Sequence, residues 1–161
     1  MPPPTPATTF TPPVGIKLGD GYQTLMVWAD STGTQVPVSF WIITVKPVGL
    51  DGGDPVDTTT MWNIEWHTKH PRFLANQTDA TGTAAYDPQF YNNIIASFNK
   101  NGTITVRFPD GSTVAFYGYL QKFDPGELKE GEMPTAAITF IATNTDPVDG
   151  TEQAPVYVPP A

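Results

Sequence analysis

Residues 103–123, TITVRFPDGSTVAFYGYLQKF, decide the fold of this chain. Two runs, residues 104–108 and 114–123, are rich in β-branched and aromatic residues and alternate between apolar and other side chains. The sequence PDGS at residues 109–112 separates them, and the order Pro-Asp-Gly is typical of a tight chain reversal. The stretch therefore predicts a β-hairpin.

A helix is predicted just before this hairpin, over residues 88–100. Asp87 is suited to its N-cap, Pro88 to its first position, and Asn101-Gly102 to its end. One apolar stripe at helical spacing predicts that the helix packs on a sheet; its members are Phe90, Tyr91, Ile94, Ile95 and Phe98.

Other strands are predicted on both sides of the helix and hairpin. Residues 16–29 contain a strand interrupted at Gly19-Asp20-Gly21, and residues 134–143 contain another. Residues 36–48 are apolar on both faces, with Phe40, Ile42 and Thr44 predicted to share one face. Residues 61–67 and 72–86 give two weaker strand signals. About seven strands and one flanking helix predict a mainly β fold, a β-sandwich or curled barrel.

The ends of the chain differ from its centre in composition. Residues 1–13 contain six prolines and residues 146–161 are similarly poor in periodic pattern, so both are expected to be terminal arms that become ordered on assembly. Residues 14–145 form the predicted single domain. The N-terminus has neither the basic start nor the apolar core of a secretory signal.

Charge and composition exclude several kinds of protein. The 161-residue chain has a formal net charge of −8 and a pI near 4.4, which opposes tight binding to a nucleic-acid backbone. It contains no cysteine, which excludes disulfides and thiolate metal sites. No run of 18 apolar residues occurs, so no membrane span is expected.

No set of residues with catalytic or metal-binding spacing stands out. His67 and His70 lack further ligands, and Asp51, Asp54 and Asp57 lack the spacing of a calcium loop. A glycosidase pair is a weaker interpretation of the acidic loop than a solvated turn, and no nucleophile turn of the G-x-S-x-G kind is present. We therefore expect no enzyme activity and no cofactor. Four tryptophans fit either sugar stacking or core and interface packing: Trp28, Trp41, Trp62 and Trp66.

Residues 36–157 resemble the major tail tube proteins of long-tailed, non-contractile (siphovirus-type) bacteriophages. The resemblance rests on RFPDG at residues 107–111, FYGYL at 116–120, and the acidic loop leading into PTAAITF at 134–140. Residues 48–61, with PVDTTT inside them, are similar to the long inter-strand loop of that family.

The resemblance implies a virion structural protein of the phage tail, made in the bacterial host cytoplasm. Its copies form hexameric rings that stack into a tube through which double-stranded DNA is ejected without sticking. The implied partners are further copies and the tape-measure, tail-terminator and distal tail proteins. About four strands from each of six copies give a barrel roughly 50 Å across, wide enough for a duplex.

The resemblance also implies three groups of functional residues. An inter-ring or inter-subunit loop contains Asp51, Asp54, Pro55, Val56, Asp57, Thr58, Thr59 and Thr60. Strands of the inner barrel and its hairpin contain Ile104, Val106, Phe108, Asp110, Gly111, Val114, Phe116 and Gly118. Candidate acids of the lumen are Asp124, Glu127, Glu130 and Glu132. Two alternatives stay open: a connector or adaptor ring at the tail end, and an extracellular carbohydrate-binding module.

Overall fold

The computed structural model describes residues 24–35 and 37–160, and its architecture is mainly β. The strand signal at residues 16–23 and the N-terminal arm at residues 1–13 lie outside the described residues. None of the described helices is long and apolar enough to cross a bilayer. The strands are β1 (Leu25–Asp30), β2 (Val38–Lys46), β3 (Leu50–Asp51), β4 (Val56–Asp57), β5 (Lys69–His70), β6 (Asn76–Gln77), β7 (Ala80–Ala85), β8 (Gly102–Arg107), β9 (Thr113–Pro125), β10 (Thr135–Ala142) and β11 (Val156–Val158).

Six of these strands close into an antiparallel barrel. Its order is β10-β7-β2-β1-β8-β9, and β9 pairs back onto β10, while β11 pairs with the start of β9. The predicted sheet of about seven strands, curled and carrying one helix, is confirmed. Because the ring of pairings is complete, each barrel strand pairs with a neighbour on both sides along at least part of its length.

The interior of the barrel is the hydrophobic core. The rings of Phe40 and Phe140 meet edge to face with centroids 5.7 Å apart. β2 supplies Val38 and Phe40 to the interior, and its register shifts between Ile42 and Thr44. This bulge corrects the predicted face assignment, because it turns Val45 inward and leaves Thr44 exposed.

The predicted hairpin is confirmed in detail. β8 and β9 pair from Gly102 with Gly118 to Arg107 with Thr113. The turn is closed by hydrogen bonds from Phe108 N to Ser112 O at 2.9 Å and from Gly111 N to Phe108 O at 3.0 Å. Gly111 has φ +87°, a conformation that glycine adopts without steric cost.

The helix is shorter and less buried than predicted. Asp87 is the N-cap, since its Oδ1 accepts a hydrogen bond from Gln89 N at 3.0 Å. Residues 88–90 form a 3-10 turn and the α-helix α1 covers only Tyr91–Ser97. The left-handed residue after it is Asn99, at φ +56°, while Gly102 already belongs to β8.

Only part of the predicted apolar stripe faces the core. Ile94 is buried together with Ser97, whereas Tyr91, Ile95 and Phe98 are exposed. The side chain of Phe90 lies outside the described part of the structure. The prediction that the whole stripe packs on the sheet was therefore wrong.

Two further predictions need correction. Residues 61–67 are not a strand: they form an irregular turn between β4 and β5. In the region 72–86, the main strand is restricted to Ala80–Ala85. Within the C-terminal segment predicted to be an arm, β11 pairs with residues 113–115 of β9 of the same chain.

The barrel has two chemically different ends. At one end, which we call the arm end, β2 finishes and β7 begins, and residues 47–79 leave the barrel. At the other, the helix end, β7 finishes beside the start of β10, where Tyr86 N donates to Pro134 O at 2.9 Å. The connection containing α1 and the acidic loop at residues 126–134 both lie at the helix end. The six residues of β7 separate the two ends by about 20 Å.

Candidate functional site

A long two-stranded projection, here called the arm, extends from the arm end of the barrel and consists of residues 50–77. Gly49 and Thr78 join at its base: Gly49 N donates to Thr78 Oγ1 at 2.8 Å, and Thr78 N donates to Gly49 O at 3.0 Å. Above them β3 pairs with β6, and β4 pairs with β5. Among the described residues, the core cluster takes no side chain from the arm. The arm is therefore an accessory to the barrel and not part of what folds it.

The turn at the end of the arm is held by its polar groups. The half-buried Asn63 accepts a hydrogen bond from Thr60 N at 2.8 Å and donates through Nδ2 to Trp66 O at 3.2 Å. Farther down, Thr58 N donates to Thr68 O at 2.9 Å. These hydrogen bonds are made by backbone groups and by the Asn63 side chain on the inside of the turn. The large apolar side chains of the same turn take no part in them and are exposed.

The outward side chains of this turn form an apolar surface, here called the arm tip, made of Met61, Trp62, Ile64 and Trp66. Trp62 is 93% exposed and Ile64 is 96% exposed. Phe73 and Leu74, on the returning side of the arm, are also exposed. Exposed aromatic and aliphatic side chains grouped on one projection are rare on monomeric proteins and mark interaction sites.

The polar residues of the arm have structural partners. The Asp57 carboxylate accepts from Thr59 N at 2.8 Å. Hydrogen bonding from Thr59 and the positive charges of His67 and Lys69 lower the pKa of the Asp57 carboxyl. His67 Nδ1 lies 3.2 Å from Thr59 Oγ1. In residues 24–35 and 37–160 no group of His, Asp or Glu has the arrangement of a metal site.

The loop predicted at residues 49–60 forms one side of the arm. The structure adds the returning side, with which it pairs. The predicted residues lie along the outgoing side and the start of the turn: Asp51, Asp54, Pro55, Val56, Asp57, Thr58, Thr59 and Thr60. Sequence reasoning missed the arm tip, because the run MWNIEW was interpreted as a weak strand. The four large apolar residues of MWNIEW, directly after a long polar loop, are the sequence feature that could have indicated an exposed apolar tip.

A second apolar surface lies at the helix end of the barrel. We call it the helix face, and it consists of Tyr91, Ile95 and Phe98, which fall at positions i, i+4 and i+7 of the helical segment. The Tyr91 ring meets the ring of Phe123 at the end of β9, with centroids 6.5 Å apart. Leu128 and Met133 in the adjacent acidic loop are exposed as well.

The predicted inner-barrel and hairpin residues are brought together on β8, β9 and their turn. Four of them are buried, namely Ile104, Val106, Phe116 and Gly118; the half-buried ones are Phe108, Asp110, Gly111 and Val114. The buried side chains belong to the core of this chain. The alternate residues, such as the half-buried Thr105 and Tyr117, face the other side of these two strands.

The predicted lumen acids are all exposed at the helix end. Asp124 pairs with Lys122 at 3.2 Å and Glu127 with Lys129 at 3.7 Å. Glu130 and Glu132 make no ion pair with the described residues. Pairs this exposed contribute at most about 1 kcal/mol each, so their role in stability is small.

The outer wall of the barrel carries a smaller apolar patch on β2. Trp41 and Ile43 are exposed there, on the side opposite to Phe40. By contrast, Trp28 is fully buried in the core. Of the four tryptophans, one packs the core and three lie on the surface.

The fold resembles components of phage-tail-related particles. A chain of the anti-feeding prophage baseplate, from a 6-fold symmetrised cryo-EM structure, matches with a TM-score of 0.56 and 8% identity, over 94% of this chain and 98% of that one. A chain from the tail of an empty GTA particle with C6 symmetry matches with a TM-score of 0.55 and 10% identity, over 83% of this chain and 95% of that one. No protein-family model and no curated protein sequence matches the chain. At these identities the comparisons show a shared fold.

Proposed function

We propose that this chain is a structural subunit of a phage tail tube. Its copies form hexameric rings, and the rings stack into a conduit for double-stranded DNA. The observation that carries the proposal is the combination of a tail-type barrel with a projecting arm whose large apolar side chains are exposed. The two matching structures named above both come from assemblies of six-fold symmetry.

The arm supplies enough apolar surface for a stable contact. Its three exposed aromatic rings belong to Trp62, Trp66 and Phe73. At about 150–250 Å² each, they offer roughly 600 Å², and Met61, Ile64 and Leu74 add to this. A stable interface needs about 800 Å² per partner, so the arm alone approaches the required size.

The charge of the chain suits a conduit for DNA. The net charge is −8, and the exposed acids Asp124, Glu127, Glu130 and Glu132 are grouped at one end of the barrel. In this proposal they face the lumen, where like charge prevents phosphate groups from adhering. The partners would be further copies and the proteins that terminate the tube and set its length.

A single ring at the tail end is the second candidate, because one of the matching structures named above is a baseplate component. The two functions differ in whether rings stack. Negative-stain electron microscopy of the purified protein distinguishes them, since a tube subunit gives long tubes and a connector gives isolated rings. A protein that stays monomeric and shifts its tryptophan fluorescence with glycans would instead be a carbohydrate-binding module.

Excision of the arm tests its role in assembly. Deleting only residues 49–60 would remove half of a paired structure, whereas residues 50–77 can be replaced by a two-residue Asn-Gly turn between Gly49 and Thr78, which are already hydrogen-bonded. We expect a folded monomer with the circular dichroism of a β protein. Tubes of normal length from this variant would contradict the role given to the arm.

A further inference from the structure

We propose that the arm tip docks on the helix face of another copy of the chain. This inference rests on the proposed function and specifies which surface receives the arm. It starts from the two apolar surfaces that the single chain leaves uncovered, one at each end of the barrel.

The positions of the two surfaces exclude contact within one chain. The arm begins at Gly49 and Thr78, beside the start of β7, while the helix face follows the end of β7. The arm extends away from the barrel through two successive two-residue ladders, β3–β6 and then β4–β5. The arm tip makes no contact with its own helix face, since Trp62 and Ile64 of the tip are 93% and 96% exposed.

Surfaces at opposite ends favour a head-to-tail contact between copies. If the arm tip of one copy covers the helix face of the next, every copy in the series uses both surfaces in the same way. Such a heterologous contact repeats along an open series when its rotation does not close a ring, and stacked rings require a contact of this kind. An isologous contact of two arm tips would close after two copies and leave the helix faces uncovered.

The chemistry of the two surfaces matches. The arm tip presents indole rings and aliphatic groups, and the helix face presents Tyr91, Ile95 and Phe98, flanked by Phe123. Aromatic pairs and aliphatic–aromatic contacts of this kind form the energetic centre of interfaces.

Charges of both signs lie around each surface. On the arm, Glu65 belongs to the tip turn, and Lys69 and Arg72 follow it on the returning side. At the helix end, Lys122 and Lys129 lie among the exposed acids. The proposed contact therefore depends on its apolar side chains and not on charge pairing.

The test uses the absence of native cysteine. Glu65→Cys, in the tip turn, and Asn92→Cys, beside Tyr91, are made in separate chains so that the apolar contact residues stay in place. Both positions are exposed, so folding is expected to be retained and is checked by circular dichroism. The two variants are mixed, allowed to assemble and treated with a short bifunctional maleimide. We expect a cross-linked heterodimer from the mixture and no cross-linked dimer from either variant alone.

Control chains make each outcome decisive. Ser39→Cys, on the exposed side of β2, replaces Asn92→Cys as the matched control. Assembled tubes that cross-link position 65 to position 39, or to neither position, would overturn the docking proposal and leave the tube function standing. A Glu65→Cys homodimer would show an isologous contact and overturn it too. A wild-type protein that never assembles would overturn both proposals.

Discussion

Two tryptophans of this chain are expected to respond to truncation in opposite ways. Trp62 is 93% exposed on the arm tip, whereas Trp28 is 1% exposed in the barrel core. Because Trp62→Ala removes no core contact, we expect the free energy of unfolding of the dilute monomer to change by no more than about 0.5 kcal/mol. Trp28→Ala leaves a cavity and is expected to cost about 3–5 kcal/mol.

The concentration needed for assembly should respond to Trp62→Ala, although the stability of the monomer does not. A buried aromatic at the centre of an interface typically contributes 2 kcal/mol or more, as judged by truncation to alanine. Since about 1.4 kcal/mol corresponds to a tenfold change in an equilibrium constant, Trp62→Ala should raise the concentration needed for assembly about 30-fold or more.

Two measurements separate these effects. Thermal unfolding of dilute protein should give a Tm for Trp62→Ala within about 2 °C of wild type and for Trp28→Ala about 10 °C lower, at 2–4 °C per kcal/mol. Sedimentation across a concentration series should give the shift in assembly. If Trp62→Ala assembles at the wild-type concentration, or lowers the Tm as much as Trp28→Ala does, then Trp62 does not have the interface role assigned to it.

Three further predictions concern the barrel and its loops. Gly118→Ala should lower stability by about 1–3 kcal/mol in chemical unfolding, because its Cβ would strike a backbone carbonyl of β10; an unchanged midpoint would contradict this. Hydrogen bonds from the side chains of Thr32 and Thr34, Thr32 contributing most, lower the pKa of the Asp30 carboxyl to about 2. This carboxyl should therefore titrate near 2 by NMR in the wild type and closer to 3.8 in Thr32→Val. The contribution of Asp30 to the free energy of unfolding should be complete above about pH 4 and lost as the pH falls to 2. Because the Tyr117 hydroxyl donates to Asp146, whose negative charge opposes a phenolate, the pKa of Tyr117 is raised above 10.0, and Asp146→Asn should bring its NMR titration back toward that value.

Local signals were sufficient to predict the hairpin and the start of the helix. The turn at residues 109–112 and the cap at Asp87 depend on hydrogen bonds between residues a few positions apart, so their residue types specify them. Most strands were also predicted correctly, because alternation of apolar and polar residues is typical of a strand with one buried face. Closure of the barrel through β9 and β10 depends on contacts between distant segments and was not determined by pattern alone.

The periodicity of apolar residues did not predict which of them are buried within the chain and which are exposed. The stripe containing Ile94 and Ile95 has one pattern, yet Ile94 is buried in the barrel and Ile95 is 58% exposed. A bulge in β2 likewise reversed the inward and outward assignments beyond Ile42. The arm tip was missed because the weak alternation of MWNIEW is typical of a strand.

Closure of the barrel changes how assembly has to be explained. Pairing of β9 with β10 already closes the ring of barrel strands within one chain. The ladder positions left unpaired are short segments, namely β9 beyond Gly118 on the β8 side, β2 before Ile42 on the β7 side, and the three-residue strand β11. Backbone pairing therefore offers little to a second copy. Side chains must provide the contact energy, and the largest exposed apolar groups are on the arm and the helix face. A tube built in this way would owe its cohesion to projections between subunits more than to one shared sheet.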